Sequence, residues 1–353
     1  ILKELIEAGA HQKKNCIVVL GEQPKEEMEE LIKGHIGDWK TTRIICKSDT
    51  LTESFLLERA SLETAKSIII NLEDDFSIIK EILAVVNYLK TKGADNKGLH
   101  ITTMIHDKEN IDAAKIAGEG KAEILFFQDA LSRIIAHTCR QPGLSLVLTE
   151  FFDFGGDEFY FEQFPELAGH TFGEILNWFG ESTVVGLEQG GKVLLNPSMN
   201  TVLGEKDSII HLAEDDDTSK PNSKTPKIDL SIENKGKSKE IEDNHLLVLG
   251  YNHYLPDTLT ELDNYAKKGT IILIAGPEIP VELAQTPYAN IELAIKECNI
   301  YNRGILEELV QEEIENILLL SDFEASVEES DSKTLLLLIQ LRDIEKKLNC
   351  DFN

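Results

Sequence analysis

Carboxylates crowd at three places in this sequence where a predicted element ends or the chain turns. The residues are Glu73, Asp74 and Asp75, then Asp153, Asp157 and Glu158 beside a glycine pair, and finally Glu214, Asp215, Asp216 and Asp217. Neighbouring carboxylates repel one another, and a hard divalent cation with about six to eight oxygen ligands relieves that repulsion. All ten residues are therefore candidate metal ligands, and a solvated acidic face is the alternative for each cluster.

The spacing of these acids excludes one familiar kind of cation site. An EF-hand loop needs a glycine at its sixth position and a glutamate at its twelfth, and neither follows the run that ends at Asp217. A further acidic stretch, from Glu292 to Asp331, contains twelve acidic residues against Lys296 and Arg303. A metal site in this chain is therefore expected to be assembled from separate loops or separate chains.

The turns after two β-rich segments lack the glycines that hold a dinucleotide. That site needs G-x-G-x-x-G, because glycine backbones must approach the pyrophosphate closely. The turns that begin at Gly21 and Gly250 read GEQPKEE and GYNHYLP. In the first turn Glu22, Glu26 and Glu27 would repel a pyrophosphate. We expect no NAD here, and a nucleoside or mononucleotide held at the strand ends stays open.

Other catalytic patterns are also missing. Gly186, Gly191 and Lys192 begin a phosphate loop, but Val193 replaces the required Ser or Thr, so a hairpin turn is expected there. The sequence has no H-E-x-x-H and no G-x-S-x-G. His137 and His211 are interpreted as satisfied core or rim residues rather than ligands. We expect a protein that is not an enzyme.

Composition excludes further classes of function. The formal net charge of −28 repels phosphate backbones, so nucleic acid is not an expected partner. The longest uninterrupted apolar run is five residues, far below the roughly 20 that cross a bilayer, so we expect this fragment, which begins without a Met, to be soluble. The five cysteines form no C-x-x-C pair, which favours free, buried thiols in a reduced compartment.

An α/β unit is predicted over residues 15–143. The strand candidates are Cys16–Leu20, Arg43–Cys46, Ser67–Asn71, His100–Ile105 and Ile124–Phe127. Residues with helical spacing lie between and after them, and the last set includes Leu131, Ile134 and Ile135. Apolar residues on both faces indicate parallel strands, so the unit is expected to be doubly wound and Rossmann-like, with its site at the carboxyl ends of the strands.

Residues 144–217 are predicted to form a small α+β lobe rich in aromatic residues. Thr171 and Glu174 form a T-x-x-E capping box that starts a short helix. Strands are expected at Thr183–Leu187, Lys192–Leu195 and Ser208–Leu212. Residues 218–243 are rich in Ser, Lys, Pro and Asn and are interpreted as a flexible linker.

The beginning of the first unit is repeated over residues 244–353. Leu246–Gly250 matches Ile17–Gly21, Thr270–Ala275 matches Thr42–Cys46, and Asn316–Leu320 matches Ser67–Asn71. A helix with Leu337, Leu341, Ile344 and Leu348 on one stripe is expected to follow the last of these strands. The second unit is therefore also Rossmann-like, and it is partial because it stops before the later strands, either cut or abbreviated.

Several longer strings resemble the Castor/Pollux family of ion channels. They are Cys139–Leu144, Gly190–Pro197, Leu212–Thr218, Asp331–Lys333 and Leu341–Ile344. The resemblance implies tandem RCK domains, the regulators of potassium conductance, on the cytoplasmic face of a membrane channel. It also implies a tetrameric homo-oligomer, a gating ring that senses Ca2+ and controls a cation pore absent from this chain.

Three more expectations follow from the resemblance. Residues 1–14 would be the connector from the last pore helix. Leu131, Ile134 and Ile135 would pack at a ring interface, with the intramolecular core as the equal alternative. A freestanding, nucleotide-sensing regulatory subunit of a potassium transporter, which uses the same fold, is the alternative to the channel.

Overall fold

The computed structural model describes residues 1–10, 14–48, 54–93, 99–141, 143–153, 155–214, 220–222, 245–310, 314–322 and 325–348. Most of the predicted linker, residues 218–243, lies outside these ranges. None of the helices in the described ranges combines the length and apolar composition that a bilayer crossing requires. The contacts divide the chain into two compact units. Unit 1 comprises Ile1–Ile17, Ile36–Arg43 and Ser145–Lys239, and unit 2 comprises Val18–His35, Ile44–Leu144 and Glu240–Asn353.

The first Rossmann-like region alternates strands and helices as predicted. Its elements are α1 (Leu2–Ala8), β1 (Asn15–Gly21), α2 (Lys25–His35), β2 (Thr42–Ser48), α3 (Ser54–Arg59), β3 (Ser67–Ile70), α4 (Asp75–Thr91), β4 (His100–Ile105), α5 (Ile111–Gly118), β5 (Ala122–Phe126) and α6 (Phe127–Arg140). The strands form two hydrogen-bonded groups, β1-β2 and β3-β4-β5, and the second group is parallel. All five predicted strands are present, whereas α3 and α5 were not predicted.

Helix α4 supplies the core of the β3-β4-β5 sheet. Its residues Ile78, Ile82 and Val86 are almost fully buried and pack with Ile101 and Ile105 of β4. Burial of each such side chain contributes about 1.5 to 3 kcal/mol. The sheet is therefore held against one long amphipathic helix, and the N-terminus of α4 is fixed beside the carboxyl ends of β3 and β4.

The small lobe follows in unit 1. Its elements are α7 (Leu144–Phe152), β6 (Glu158–Glu162), α8 (Phe172–Ile175), β7 (Thr183–Gln189), β8 (Lys192–Leu195) and β9 (Ser208–Ala213). The antiparallel sheet has the order β6-β9-β7-β8. The capping box of Thr171 and Glu174 is confirmed. The predicted hairpin is confirmed too, because Gln189 pairs with Lys192 across Gly190 and Gly191, whose φ angles are 58° and 78°.

The second Rossmann-like region is better packed than the first. Its elements are β10 (His245–Leu249), α9 (Leu255–Tyr265), β11 (Thr270–Gly276), α10 (Val281–Gln285), β12 (Ile291–Glu297), α11 (Arg303–Leu309), β13 (Ile314–Leu319) and α12 (Val327–Leu348). The parallel sheet has the order β12-β11-β10-β13, with the first strand of the unit in the middle. This is the doubly wound arrangement that the repeat predicted, with β12 as an additional strand.

Strand β10 shows why helices cover both faces of this sheet. Leu246 and Val248 point into the cluster formed with α9, whereas Leu247 and Leu249 point into the cluster formed with α11 and α12. Side chains alternate between the two faces of a strand, so an unbroken apolar run demands a helical layer on each side. On α12 the predicted stripe is buried at Leu337, Leu341 and Ile344, but Leu348 at its end is 41% exposed.

Candidate functional site

The carboxyl ends of β3 and β4 meet at Asp75, the first residue of α4. Its carboxylate accepts hydrogen bonds from the backbone N–H groups of His106 and Asp107 and from Nδ2 of Asn110, each over 2.9 Å. Nδ1 of His106 lies 3.0 Å from the same carboxylate. Although burial opposes ionisation, these four contacts together hold the pKa of Asp75 at about 2. Asp75 is therefore a buried, charged residue that ties α4 to the end of β4.

The other two acids of this cluster point elsewhere. Asp74 caps α4 and accepts a hydrogen bond from the backbone N–H of Ser77 over 2.9 Å. Glu73 is exposed. A carboxylate has about four acceptor positions, and the four contacts of Asp75 use them. The three predicted ligands are consecutive in sequence, but in the structure each lies in a different environment.

The remaining described acids collect at one end of the β6-β9 pair. Glu158 pairs with Ala213, the last residue of β9, so Glu214, which follows that strand, lies at the same end of the pair as Asp157. Asp153 lies on the turn that leads into β6 and accepts a hydrogen bond from the backbone N–H of Gly155. We call these four residues, Asp153, Asp157, Glu158 and Glu214, the acidic edge. The remaining predicted ligands, Asp215, Asp216 and Asp217, lie outside the described residues.

The acidic edge is an open arrangement rather than a formed metal centre. In the described ranges no three Asp, Glu, His or Cys side chains converge as ligands of one ion. Glu158 also accepts a hydrogen bond from the hydroxyl of Tyr160 over 3.2 Å. The antiparallel register of β6 and β9 brings to one end of the strand pair carboxylates that are more than 50 residues apart in sequence.

The two turns that occupy the cofactor position of a Rossmann fold differ in their packing. The first turn of α2 carries Glu26 and Glu27, so carboxylates stand where a pyrophosphate would arrive. In the second turn Gly250 has a φ of 96°, and a Cβ there would lie 2.6 Å from the carbonyl oxygen of Leu320. The backbone of β13 therefore closes against this turn, which leaves no open glycine cradle at that point.

Helices α6 and α9 join the two Rossmann-like regions within unit 2. Gln128 donates to Oδ2 of Asp257 over 2.9 Å, and Arg133 lies 3.4 Å from the carboxylate of Glu261. The small residues Ser132 and Ala136 are buried between them. At the far end the guanidinium of Arg140 lies 5.1 Å from the ring centre of Tyr265. The two regions are therefore linked through this pair of helices by polar contacts and close packing.

The predicted interface residues of α6 are less buried than the small residues between the helices. Leu131, Ile134 and Ile135 are half-buried, whereas Ser132 and Ala136, one residue away in sequence, are nearly inaccessible. Their packing at a ring interface remains a prediction. Sequence reasoning missed the α6–α9 contact, and the available signal was the small-residue spacing of Ser132 and Ala136, four residues apart on one helical face.

The cysteine and histidine predictions are partly wrong. None of the four described cysteines is disulfide-bonded, but Cys16 is exposed because β1 is only half-buried. Burial raises the pKa of Cys139 to about 11, which keeps it a thiol. His137 contacts Tyr265 as a rim residue, with ring centres 5.1 Å apart and planes tilted by 52°. His211 is a core residue as predicted, but within the described residues neither of its ring nitrogens makes a hydrogen bond, and Nε2 lies 3.6 Å from the Glu162 carboxylate.

Comparisons with known proteins agree with this architecture. A family model described as "Castor and Pollux, part of voltage-gated ion channel" matches residues 128–229. The chain is 30% identical to the probable ion channel POLLUX of Oryza sativa subsp. japonica over 98% of its own length and 37% of that protein. It is also 30% identical to the ion channel DMI1 of Medicago truncatula, over 98% of its length and 41% of that protein.

The resemblance to the Castor/Pollux family that the sequence predicted is confirmed. The chain spans about two fifths of the length of these relatives. Its fold is that of the human SLO3 gating ring, with a TM-score of 0.60 at 18% identity, covering 92% of this chain and 66% of that one. The predicted fold class, tandem Rossmann-like RCK domains with a small α+β lobe after the first, is thereby confirmed for this chain.

Proposed function

We propose that this chain is the cytoplasmic, ligand-sensing part of a cation channel, and that several copies assemble into a gating ring. The observation that carries the proposal is an outward-facing apolar surface on the small lobe. We call it the apolar band, and its exposed residues are Leu146, Val147, Phe151, Phe152, Phe159 and Phe161. In a chain with a net charge of −28, such a surface is expected to be covered in the working state.

The phenylalanine side chains of β6 in the apolar band are exposed to solvent. Phe159 and Phe161 are 47% and 54% exposed, whereas Glu158, Tyr160 and Glu162 on the opposite face are half-buried. A surface strand normally does the reverse and turns its polar residues to water. Phe151 of α7 contacts Phe159 with ring centres 5.2 Å apart, which joins the helix and the strand into one patch.

A second copy of the chain is the occupant we propose for the apolar band. Helix α7 has no buried residue along its nine positions, although six of them are apolar. In a closed ring every subunit meets the next through the same heterologous interface, so the apolar band of one chain would pack against a different surface of its neighbour. The family resemblance implies that four copies form the ring.

The segment that would lead to the pore is fastened to unit 1. Ile6 of α1 is 2% exposed, and Glu7 forms an ion pair with Lys40. The hydroxyl of Thr41 donates to the carbonyl groups of Gly9 and Ala10 over 3.3 and 3.2 Å. If α1 is the connector from a pore helix, a movement of the segment that contains Lys40 and Thr41 would pull on it through these contacts.

We propose Ca2+ as the effector and the acidic edge as the place where it binds, with Asp215–Asp217 as further ligands. The carboxylates at this end of the β6-β9 pair repel one another when the edge is empty, and a cation would bind the ring geometry that brings them together. Asp75 and Asp74 are the weakest of the predicted ligands because their oxygens already accept hydrogen bonds. Glu73 stays a candidate.

Light scattering of the purified chain tests the assembly. We expect a mass above that of the monomer, and a shift toward monomer for the double variant Phe159→Ser/Phe161→Ser. Phe76→Ser is the matched control, since Phe76 is 77% exposed on α4 in the other unit. A wild-type chain that stays monomeric at every concentration and in Ca2+ would contradict the proposal.

Isothermal titration with CaCl2 tests the effector separately. Heat is expected for the wild type and should be lost in Asp157→Asn/Glu214→Gln, while the control Glu26→Gln retains it. Titration with ATP and with NADH in parallel addresses the nucleotide-sensing alternative. Nucleotide heat without Ca2+ heat would replace the effector proposal and leave the assembly proposal standing.

A further inference from the structure

The core of the small lobe contains a histidine whose ring makes no hydrogen bond. His211 lies in the middle of β9, its accessible fraction is 0%, and within the part of the chain that the structure describes neither Nδ1 nor Nε2 has a hydrogen-bond partner. A neutral imidazole always carries one N–H donor, and a buried donor left unpaired costs about 1 to 3 kcal/mol. A leucine or phenylalanine would fill this position without that cost, so the imidazole calls for an explanation.

Aromatic rings enclose the imidazole. Phe179 stacks on it with centres 5.9 Å apart and an interplanar angle of 16°, and Tyr160 stacks at 5.9 Å and 27° from the neighbouring strand. Phe164 closes a third side at 6.4 Å. Val184, the pairing partner of His211 on β7, is apolar. We call these surroundings the aromatic box.

One charged group faces the aromatic box. Oε2 of Glu162 on β6 lies 3.6 Å from Nε2 of His211, just beyond hydrogen-bond distance, and the Glu162 side chain is 31% exposed. The Tyr160 hydroxyl on the same strand is directed to Glu158. On the short helix α8, Glu174 is 57% exposed and is engaged in the capping box. Glu162 is thus the carboxylate whose charge acts on the buried ring.

We propose that His211 is a buried proton switch of the small lobe: the lobe is closed while the imidazole is neutral, and protonation opens the contact between β6 and β9. The imidazolium has two N–H donors, and the box offers one nearby carboxylate and three ring faces. Glu162 can take the Nε2–H, but within the described residues the Nδ1–H then faces only aromatic rings, so water must enter the box and the strands around it must separate. The proton comes from solvent and binds one ring nitrogen, with no other bond made or broken.

The balance of forces favours the neutral, closed form near neutral pH. Desolvation lowers the pKa of His211, and the attraction of Glu162 only partly offsets it. Since β6 also carries Glu158 and two phenylalanines of the apolar band, its movement would reach both surfaces described above. That last consequence rests on the proposed function, whereas the switch itself does not.

Tryptophan fluorescence offers a local readout, because both tryptophans of the chain, Trp39 and Trp178, belong to unit 1. Trp178 packs against the core that contains Phe179. The exposed ring of His170 lies 4.7 Å from Trp178 and would quench it on protonation. The experiment therefore uses a Trp39→Phe/His170→Gln background, which leaves one emitter and removes that source of signal.

In this background we expect an emission change between pH 8 and pH 5 whose midpoint lies below 6.5. Glu162→Gln should move the midpoint further down, since it removes the attractive charge, and His211→Phe should abolish the change. A transition that survives His211→Phe would overturn the proposal.

NMR titration of the His211 ring in the unsubstituted chain keeps the test valid if that variant fails to fold. A ring that titrates at or above pH 6.5, or that titrates without a shift of the Tyr160 and Phe179 resonances, would overturn the switch. A midpoint below 6.5 accompanied by those shifts would support it. Neither measurement requires Ca2+ or a second copy of the chain, so the result is independent of the channel proposal.

Discussion

Nδ2 of Asn110 donates a hydrogen bond to Oδ2 of Asp75 over 2.9 Å, across 35 residues of sequence. The bond joins the N-terminus of α4 to the segment after β4, at the edge of the sheet where Rossmann folds bind their ligands. In this chain the protein's own side chains occupy that position. The buried carboxylate is held by two backbone N–H groups and two side chains instead of holding a ligand.

Replacing Asp75 by Asn should destabilise unit 2 by about 2 to 3 kcal/mol, because a buried charge-assisted network loses its acceptor. Urea unfolding at pH 7 measures the loss. Asp74→Asn is the matched control, since Asn caps a helix as well as Asp does, and it should change the unfolding free energy by less than about 0.5 kcal/mol. Equal effects of the two variants would contradict the role assigned to Asp75.

The same residue predicts a dependence of stability on acid. Its folded pKa of about 2 lies below the unfolded value of 3.8, so its contribution is present above pH 3.8 and disappears as the pH falls through 2. The shift corresponds to about 2 kcal/mol. Acid unfolding followed by circular dichroism should therefore be shallower for Asp75→Asn than for the wild type, and an unchanged acid slope would refute this assignment.

Glu81 predicts the opposite dependence on pH. It lies on the buried face of α4 at 7% exposure, and desolvation raises its pKa from 4.5 to about 7. A raised pKa means that this residue's favourable contribution is present below pH 4.5 and is lost as the pH rises through 7. Glu81→Gln should therefore stabilise the chain at pH 8 by about 1 to 3 kcal/mol and leave it nearly unchanged at pH 4.5.

Thermal unfolding at the two pH values checks the Glu81 prediction. Glu123→Gln, at an exposed position of β5, is the control and should shift neither melting temperature. If Glu81→Gln has the same effect at both pH values, the carboxyl group is not titrating in the folded state and the prediction fails.

The ion pair between α6 and α9 predicts a third effect. Arg133 is 54% exposed but Glu261 is only 9% exposed, so Arg133→Ala leaves a nearly buried carboxylate without this cation. We expect a loss of about 1 kcal/mol in urea unfolding. Lys90→Ala should cost less than about 0.5 kcal/mol, because Lys90 and its partner Glu119 are both nearly half exposed.

A double-mutant cycle distinguishes this interaction from a general loss of helix packing. Glu261→Gln should remove most of the cost of Arg133→Ala, because no buried charge then remains. Additive effects of the two substitutions would show that Arg133 acts through its own aliphatic packing and not through Glu261.

The sequence predicted those features whose determinants are local. The capping box at Thr171, the hairpin at Gly190 and the buried strand β10 each depend on a few adjacent residues, and all three are present. The missed strands had misleading patterns. Strand β12 reads IELAIKE in an acidic stretch, where its charged residues resembled a solvated face, and β6 turns its phenylalanines outward.

The environments of the predicted ligands could not be read from the sequence. Which donors surround Asp75 depends on the register of β3 against β4, and His106 is 31 residues away. The acidic edge likewise arises from the pairing of β6 with β9. These two strands lie near the beginning and the end of the small lobe in sequence. Composition identified the acids, but only the strand pairing determines which of them share a location.

Gly250 provides the last prediction, on the turn that replaces a dinucleotide loop. Its φ of 96° lies in the left-handed region, and a Cβ would meet the backbone oxygen of Leu320 at 2.6 Å. Gly250→Ala must therefore separate β10 from the end of β13, and we expect a loss of about 2 to 4 kcal/mol in urea unfolding. Gly34→Ala is the control, because Gly34 lies within α2 with open space at its Cβ position and should gain about 0.5 to 1 kcal/mol. A tolerated Gly250→Ala would mean that this turn has room beside β13, which would restore the strand end as a possible nucleotide site.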